Sequence, residues 1–208
     1  MEIMEILNNL DGLLNDFLNN AGVLAPILSC LLIFLEGILA FLPLFVFVTF
    51  NIMSLSTLLG DVLGTLLGIA LSWVFTTLGS YVTFMLFRKF LNKPFRNKIA
   101  KKQKSKKFMK IVDNLKYSQL VLIISIPFSP SFFINLGAGL SNINAKKYLC
   151  ALLIGKISQM LFLGYVGVSL VECLTNPMAL IKVVLILAVG YVVSVIVNKK
   201  FNLDERFE

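Results

Sequence analysis

Residues 124–139 read ISIPFSPSFFINLGAG, and this stretch decides how the rest of the chain is interpreted. Apolar segments flank it on both sides, as in a protein embedded in a membrane. Pro127 and Pro130 cannot both lie in one undisturbed helix, because each lacks an N–H group and clashes with the preceding turn. Gly137 and Gly139 loosen the backbone again. Non-helical backbone at bilayer depth must be buried in protein or line a wet cavity, so the stretch predicts a re-entrant or broken helix that forms half of a site.

The composition predicts an all-α integral membrane protein. Of the 208 residues, 58% are hydrophobic and 14% are charged, too few charges for the surface of a soluble domain of this size. Histidine is absent, which excludes the Ser-His-Asp triad and argues against most zinc sites. The three cysteines are far apart and no Walker-type phosphate loop is present. We therefore expect a protein that is not an enzyme and needs no metal and no cofactor.

An earlier stretch resembles the first one. Residues 43–51 read PLFVFVTFN and residues 127–135 read PFSPSFFIN, so both run from proline to asparagine over the same spacing. Broken hydrophobic segments at corresponding places in two halves point to the binding site of a transporter. The length of the apolar run 21–52 suits either one full span or a hairpin that folds at Leu42–Pro43, and the match favours the hairpin. A match this short can also arise by chance in a phenylalanine-rich chain.

The chain divides into three parts. Residues 1–20 predict an amphipathic N-terminal helix, residues 21–198 a single membrane domain, and residues 199–208 a charged tail. Within the membrane domain, a basic loop covers residues 92–116. An excess of lysine and arginine marks cytoplasmic loops, and Lys199–Lys200 places the C-terminus on the same side. The chain must then cross the membrane an even number of times between the basic loop and the tail. Two spans plus a re-entrant stretch satisfy this condition, because a re-entrant stretch returns to the side from which it entered.

These features make membrane lipids the expected partners of a multi-pass protein in the cell membrane. The basic loop is either a topology signal alone or also a contact for anionic headgroups. Nucleic acid is not an expected partner, because the positive charge lies at a membrane edge without a binding fold. The sequence leaves a homo-oligomer open.

Charged side chains inside apolar segments are the sharpest candidates for function. A charge at the centre of a membrane helix costs about 2.5–3.5 kcal/mol, so such a residue normally faces the interior of the bundle. Glu36 is either a group that couples transport to pH, or the partner of a basic residue, or a structural carboxyl that bonds hairpin carbonyls. Lys156 lies inside a predicted span, and it could pair with Glu36. Arg88 is either a site residue or an ordinary snorkelling residue at the end of a span.

Polar residues in the two broken stretches complete the candidate site. Asn51 and Asn135 would either satisfy open backbone where helices break or contact the substrate. A helix that begins near Pro130 would direct free N–H groups at an anion. The nearby serines would either donate to a phosphate or cap the broken helix; they are Ser125, Ser129 and Ser131.

The order of these residues resembles a known family. Glu36 and Pro43 come first, and Gly79-Ser80-Tyr81 then leads to Arg88 and the basic loop. IPFSP follows at residues 126–130, with NLGAGL at residues 135–140. This order is similar to that of the DedA-like VTT-domain family, also called SNARE-associated Golgi proteins, and most similar to its bacterial Tvp38-type branch.

The resemblance implies two facing re-entrant hairpins, near residues 24–52 and 118–141, in an inverted repeat. It also implies lipid transport: returning undecaprenyl phosphate across the membrane, moving phospholipids, or scrambling lipids, with proton coupling in some members. One departure is notable. The family commonly carries an arginine two or three residues before the motif proline, where this chain has Ile124 and Ser125. Lys156 and Arg88 are the candidates to replace it.

The sequence thus predicts a flippase or scramblase for a phosphorylated lipid. A structural or interaction protein of the envelope is the main alternative. An intramembrane enzyme acting on lipid phosphates is less expected, because the chain lacks histidine and any dense acidic or cysteine cluster.

Overall fold

The computed structural model describes residues 20–39, 43–90, 115–127 and 131–175, and part of 181–195. These residues form helices and turns, and no strand occurs among them, which confirms the predicted all-α membrane protein. The helices of the continuous ranges are α1 Leu24–Leu39, α2 Leu44–Leu59, α3 Asp61–Phe90, α4 Tyr117–Ser125, α5 Ser131–Leu140 and α6 Ala145–Thr175. The predicted N-terminal helix at 1–20, the predicted basic loop at 92–116 and the predicted tail at 199–208 lie wholly or almost wholly outside the described residues.

Helix α3 is the central element of the bundle, because it packs against α1, α2, α5 and α6. It has 30 residues, which gives a length of about 45 Å at 1.5 Å per residue. Among the described residues, two helices are long and apolar enough to cross a bilayer, α3 over Asp61–Lys89 and α6 over Ala145–Leu170.

The other four helices of the continuous ranges are two pairs of helices consecutive in sequence, α1–α2 and α4–α5, and the chain is broken between the two helices of each pair. Helices α1 and α2 have 16 residues each, about 24 Å, which is less than the roughly 30 Å of the hydrocarbon core. Helices α4 and α5 are shorter still, with 9 and 10 residues. The breaks lie where Pro43 and Pro127 interrupt the apolar runs. A re-entrant course of either pair stays a prediction, because helix lengths alone do not define the membrane faces.

The first pair is longer than its sequence suggested. We expected it to end near residue 52, with Asn51 at its far end, by analogy with the second pair. Helix α2 instead continues to Leu59 and ends at Gly60, whose φ of 83° is a conformation that favours glycine. Asn51 therefore lies in the middle of α2.

The polarity of the bundle is that of a membrane protein. Large apolar side chains such as Leu24, Val62 and Leu66 are exposed, whereas the buried set includes polar and charged side chains such as Asn51 and Lys156. Small residues allow the close packing that this interior requires. At Gly64 an added Cβ would lie 2.2 Å from Ser56 Cα, so only glycine permits the contact between α3 and α2.

Candidate functional site

Lys156 is a cation buried within the long apolar helix α6. Its side chain is 1% exposed, and its ammonium donates to Gln159 Oε1 at 2.8 Å and to Ser131 Oγ at 3.2 Å. Burial of an ammonium is costly unless its N–H groups have partners. Ser131 is the first residue of α5, so Lys156 lies beside the helix start that follows the second break.

Helix α6 can supply these contacts because it lies directly against α4. A Cβ at position 155 would lie 2.6 Å from Ile124 Cγ2, so Gly155 is what permits this approach. One turn further, Gln159 Nε2 donates to the carbonyl oxygen of Pro127 at 3.1 Å. Carbonyls at a helix end have no intrahelical partner, and Gln159 supplies one there.

A narrow crevice opens between α4, α5 and α6. It is lined by Ile124, Ser131, Ile134, Asn135, Leu152 and Lys156. In this conformation it is too narrow to admit a water-sized sphere. Asn135 Oδ1 accepts a hydrogen bond from the hydroxyl of Tyr148, but its Nδ2 is buried without a partner. The lining thus combines a buried ammonium with an unpaired amide donor, and both groups suit an anion.

Glu36 on α1 interacts electrostatically with Lys156. Its carboxyl is buried, with 8% of the residue exposed. The next residue, Gly37, packs against the backbone of Gly79 and Ser80 on α3, which fixes this part of α1 in the bundle. The structure thus brings together a carboxyl from the first helix pair and an ammonium beside the second.

Several predicted residues lie at this site and others support the helices around it. Ser131, Asn135 and Pro127 take part as described above. Ser125 Oγ instead donates to the carbonyl of Val121, one turn earlier in its own helix. Gly137 and Gly139 are buried in α5, and an added Cβ at Gly139 would lie 2.8 Å from the Phe84 carbonyl oxygen on α3.

Arg88 lies at the opposite end of α5. Its Nη2 donates to the carbonyl of Ser141 at 3.2 Å, and its guanidinium lies 5.0 Å from the ring centroid of Phe84. Helix α5 has 10 residues and is therefore about 15 Å long. Of the two candidates for the missing arginine, only Lys156 is thus placed at the start of α5.

Asn51 and Pro43 lie away from the crevice. Asn51 Oδ1 accepts from Ser29 Oγ at 2.9 Å, and its Nδ2 donates to the Gly68 carbonyl at 3.1 Å and to Ser72 Oγ at 3.0 Å. These bonds join α1, α2 and α3, and the amide has no donor left for a substrate. Pro43 precedes α2, and its carbonyl accepts from the N–H of Val46.

Two predicted residues, Ser129 and Pro130, lie outside the described residues. The sequence reading missed Gln159 and Tyr148, both of which are buried. Gln159 could have been found from its spacing, because residues three apart share one helix face and Lys156 had already been selected. No local signal distinguishes Tyr148 from an ordinary core aromatic.

Comparisons with known proteins agree with this architecture. The sequence profile of the VTT domain matches residues 50–169, more than half of the chain. A relative described as "Uncharacterized membrane protein YhjE", from Bacillus subtilis (strain 168), is 28% identical over 181 residues, which cover 87% of this chain and 84% of the relative. No solved structure matches. The chain is a membrane protein of the VTT-domain (DedA) family.

Proposed function

We propose that this protein moves a phosphorylated lipid, such as undecaprenyl phosphate or a phospholipid, between the leaflets of the cell membrane. The family is linked to membrane lipid handling, which supports the substrate class. The observation that carries the proposal is Lys156, a buried ammonium held beside a broken helix and opposite Glu36. Ionisable side chains within membrane segments are costly and mark substrate or ion pathways and proton relays.

The headgroup would bind at the crevice. The Lys156 ammonium faces the first turn of α5, whose N–H groups have no intrahelical partner and carry the positive end of the helix dipole. Ser131 and the unpaired Nδ2 of Asn135 add further donors. A phosphate has several acceptor oxygens and no need of a metal in such a site. The lipid tail would remain against the exposed apolar faces of the bundle.

The paired helices would supply the path across the membrane. We place α1–α2 and α4–α5 as re-entrant hairpins from opposite faces of a multi-pass protein, with the basic loop and the C-terminus in the cytoplasm. Each pair is too short for two full crossings of a bilayer. Their breaks then meet inside the membrane, where Glu36 and Lys156 lie together.

Charge balance suggests proton coupling. Lys156 and a deprotonated Glu36 already neutralise each other, so an added phosphate leaves an excess negative charge unless Glu36 takes up a proton. The helices α2 and α5 carry no ionisable side chain in their described ranges. On α3 the ionisable side chains are Asp61, Tyr81, Arg88 and Lys89. Lys156 on α6 interacts electrostatically with Glu36.

The test is lipid movement in proteoliposomes that contain the purified protein. Fluorescent phospholipids and phosphorylated polyprenyl lipids are compared for the native chain, Glu36→Gln and Lys156→Met. Lys147→Met and Asp61→Asn are matched controls, because both residues are exposed. We expect the native chain to move lipid, both site variants to lose this activity, and both control variants to keep it. If folded protein moves no lipid, the proposal fails, and a role as a structural or interaction protein explains the chain better. A change in the molecular mass of the lipid would indicate an enzyme.

A further inference from the structure

Two side chains on α6 tie together the two sides of the break between α4 and α5. Gln159 Nε2 donates to Pro127, which follows α4, and Lys156 Nζ donates to Ser131, which begins α5. The two side chains also bond each other, through Lys156 Nζ and Gln159 Oε1 at 2.8 Å. We call these three hydrogen bonds the α6 bridge.

The chemistry of its partners fixes the orientation of the Gln159 amide. The Pro127 carbonyl can only accept a hydrogen bond and the Lys156 ammonium can only donate one. Nε2 must therefore face Pro127 while Oε1 faces Lys156, and no flipped amide satisfies both. Gln159 is 2% exposed, so water does not readily replace either contact. A leucine could make neither bond, and a glutamate could make only the bond to Lys156.

The longest hydrogen bond of the bridge lies across the crevice. Lys156 and Ser131 both line it, and their hydrogen bond holds the first turn of α5 against α6. That bond measures 3.2 Å, against 2.8 Å for the bond from Lys156 to Gln159. Because both side chains of this contact line the crevice, it is the contact that an anion in the crevice would have to replace.

We propose that Gln159 is a positioning residue of the site, which holds the Lys156 ammonium at the end of α4 while an anionic headgroup inserts between Lys156 and Ser131. Without the anion, the α6 bridge keeps the crevice closed. With it, one phosphate oxygen accepts from Lys156, the Ser131 hydroxyl turns to donate to the same phosphate, and the first turn of α5 separates from α6. The identity of the ligand rests on the proposed function, whereas closure by the bridge does not.

The first arm of the test measures access to the crevice without ligand. In a background whose native cysteines are replaced by alanine, Ile134→Cys reports from the crevice lining and Phe133→Cys, exposed on the same turn, is the matched control position. The rate of labelling by N-ethylmaleimide is measured in detergent. Ser131→Ala removes one hydrogen bond of the bridge and Gln159→Leu removes two, and each variant should speed labelling at position 134 at least about three- to tenfold. Labelling at position 133 should not change.

The second arm measures binding of hexyl phosphate, a short phosphomonoester, by calorimetry. Gln159→Leu should weaken binding about tenfold, because the ammonium loses its fixed position. Gln159→Glu keeps the bond to Lys156 but adds a competing carboxylate, so it should weaken binding while leaving the fold intact. Ser158→Leu, an exposed polar neighbour on the same helix, should bind as the native chain does.

The outcomes separate this proposal from the proposed function. A native labelling rate in Gln159→Leu, together with native hexyl phosphate affinity in Gln159→Leu and Gln159→Glu, would overturn the role of Gln159. If the native chain neither binds hexyl phosphate nor moves lipid, the proposed function and the anion step both fail. Faster labelling at position 134 in the bridge variants would even then support closure by the bridge, and unchanged labelling would overturn it.

Discussion

Glu36 on α1 and Lys156 on α6 interact electrostatically inside the bundle, although they belong to opposite halves of the chain. Both residues are at least nine-tenths buried. An unpaired charge is unfavourable in an apolar interior, and each of these two groups lowers that cost for the other. The interaction between Glu36 and Lys156 therefore affects both the stability of the helix bundle and the charge that lines the crevice.

A double-mutant cycle should detect this link. Lys156→Met leaves Glu36 without its opposing charge and removes the donor from Ser131 and Gln159, so we expect a loss of about 3 kcal/mol in the free energy of unfolding. Glu36→Gln combined with Lys156→Met should recover part of that loss, with a coupling energy of about 0.5–3 kcal/mol. Reversible unfolding in detergent measures all four proteins. Additive effects would show that the two charges do not act together.

Anion binding should strengthen as the pH falls. A deprotonated Glu36 repels an anion at Lys156, whereas a protonated Glu36 leaves the ammonium free to bind it. In Glu36→Gln the neutral amide cannot change its charge with pH. Anion binding should therefore be nearly independent of pH, and net movement of lipid between the leaflets should be lost. Calorimetry with hexyl sulfate measures the effect without titration of the ligand itself. An equally steep pH dependence in Glu36→Gln would assign it to another group.

Asn51 should affect the fold and not the substrate. Asn51→Leu leaves the Gly68 carbonyl without this side-chain donor and removes partners from Ser29 and Ser72, which should lower the free energy of unfolding by about 1–3 kcal/mol. The fraction that remains folded should bind hexyl phosphate with native affinity. A selective loss of affinity in stable protein would instead show that Asn51 belongs to the site.

Close packing of α2 on α3 depends on Gly64. Gly64→Ala places a methyl group 2.2 Å from Ser56 Cα, and a backbone atom cannot move aside as a flexible side chain would. We expect a destabilisation of about 1–3 kcal/mol or more, from the separation of the two helices. Leu66→Ala, at an exposed position on the same helix, is the control and should unfold near the native temperature.

The sequence predicted what local chemistry determines and missed what depends on tertiary contact. Pro127 disrupts any helix that contains it, so the break was predictable, and a lysine inside an apolar span drew attention to Lys156. Asn51 was placed at a helix end because the sequence alone did not show that Gly60 ends α2. The function of Gln159 depends on the approach of α6 to Pro127, and only the folded chain shows that approach.

Asn135 offers the sharpest test of the crevice as an anion site. Asn135→Asp keeps an oxygen for the hydroxyl of Tyr148 but replaces the unpaired Nδ2 donor with a second oxygen. An anion would then meet an acceptor where a donor had been, so hexyl phosphate affinity should fall at least about tenfold. Tyr148→Phe is the matched control, because it removes the neighbouring hydroxyl and leaves Nδ2 unchanged. Equal losses in both variants would indicate that packing around Asn135, and not its free N–H groups, determines binding.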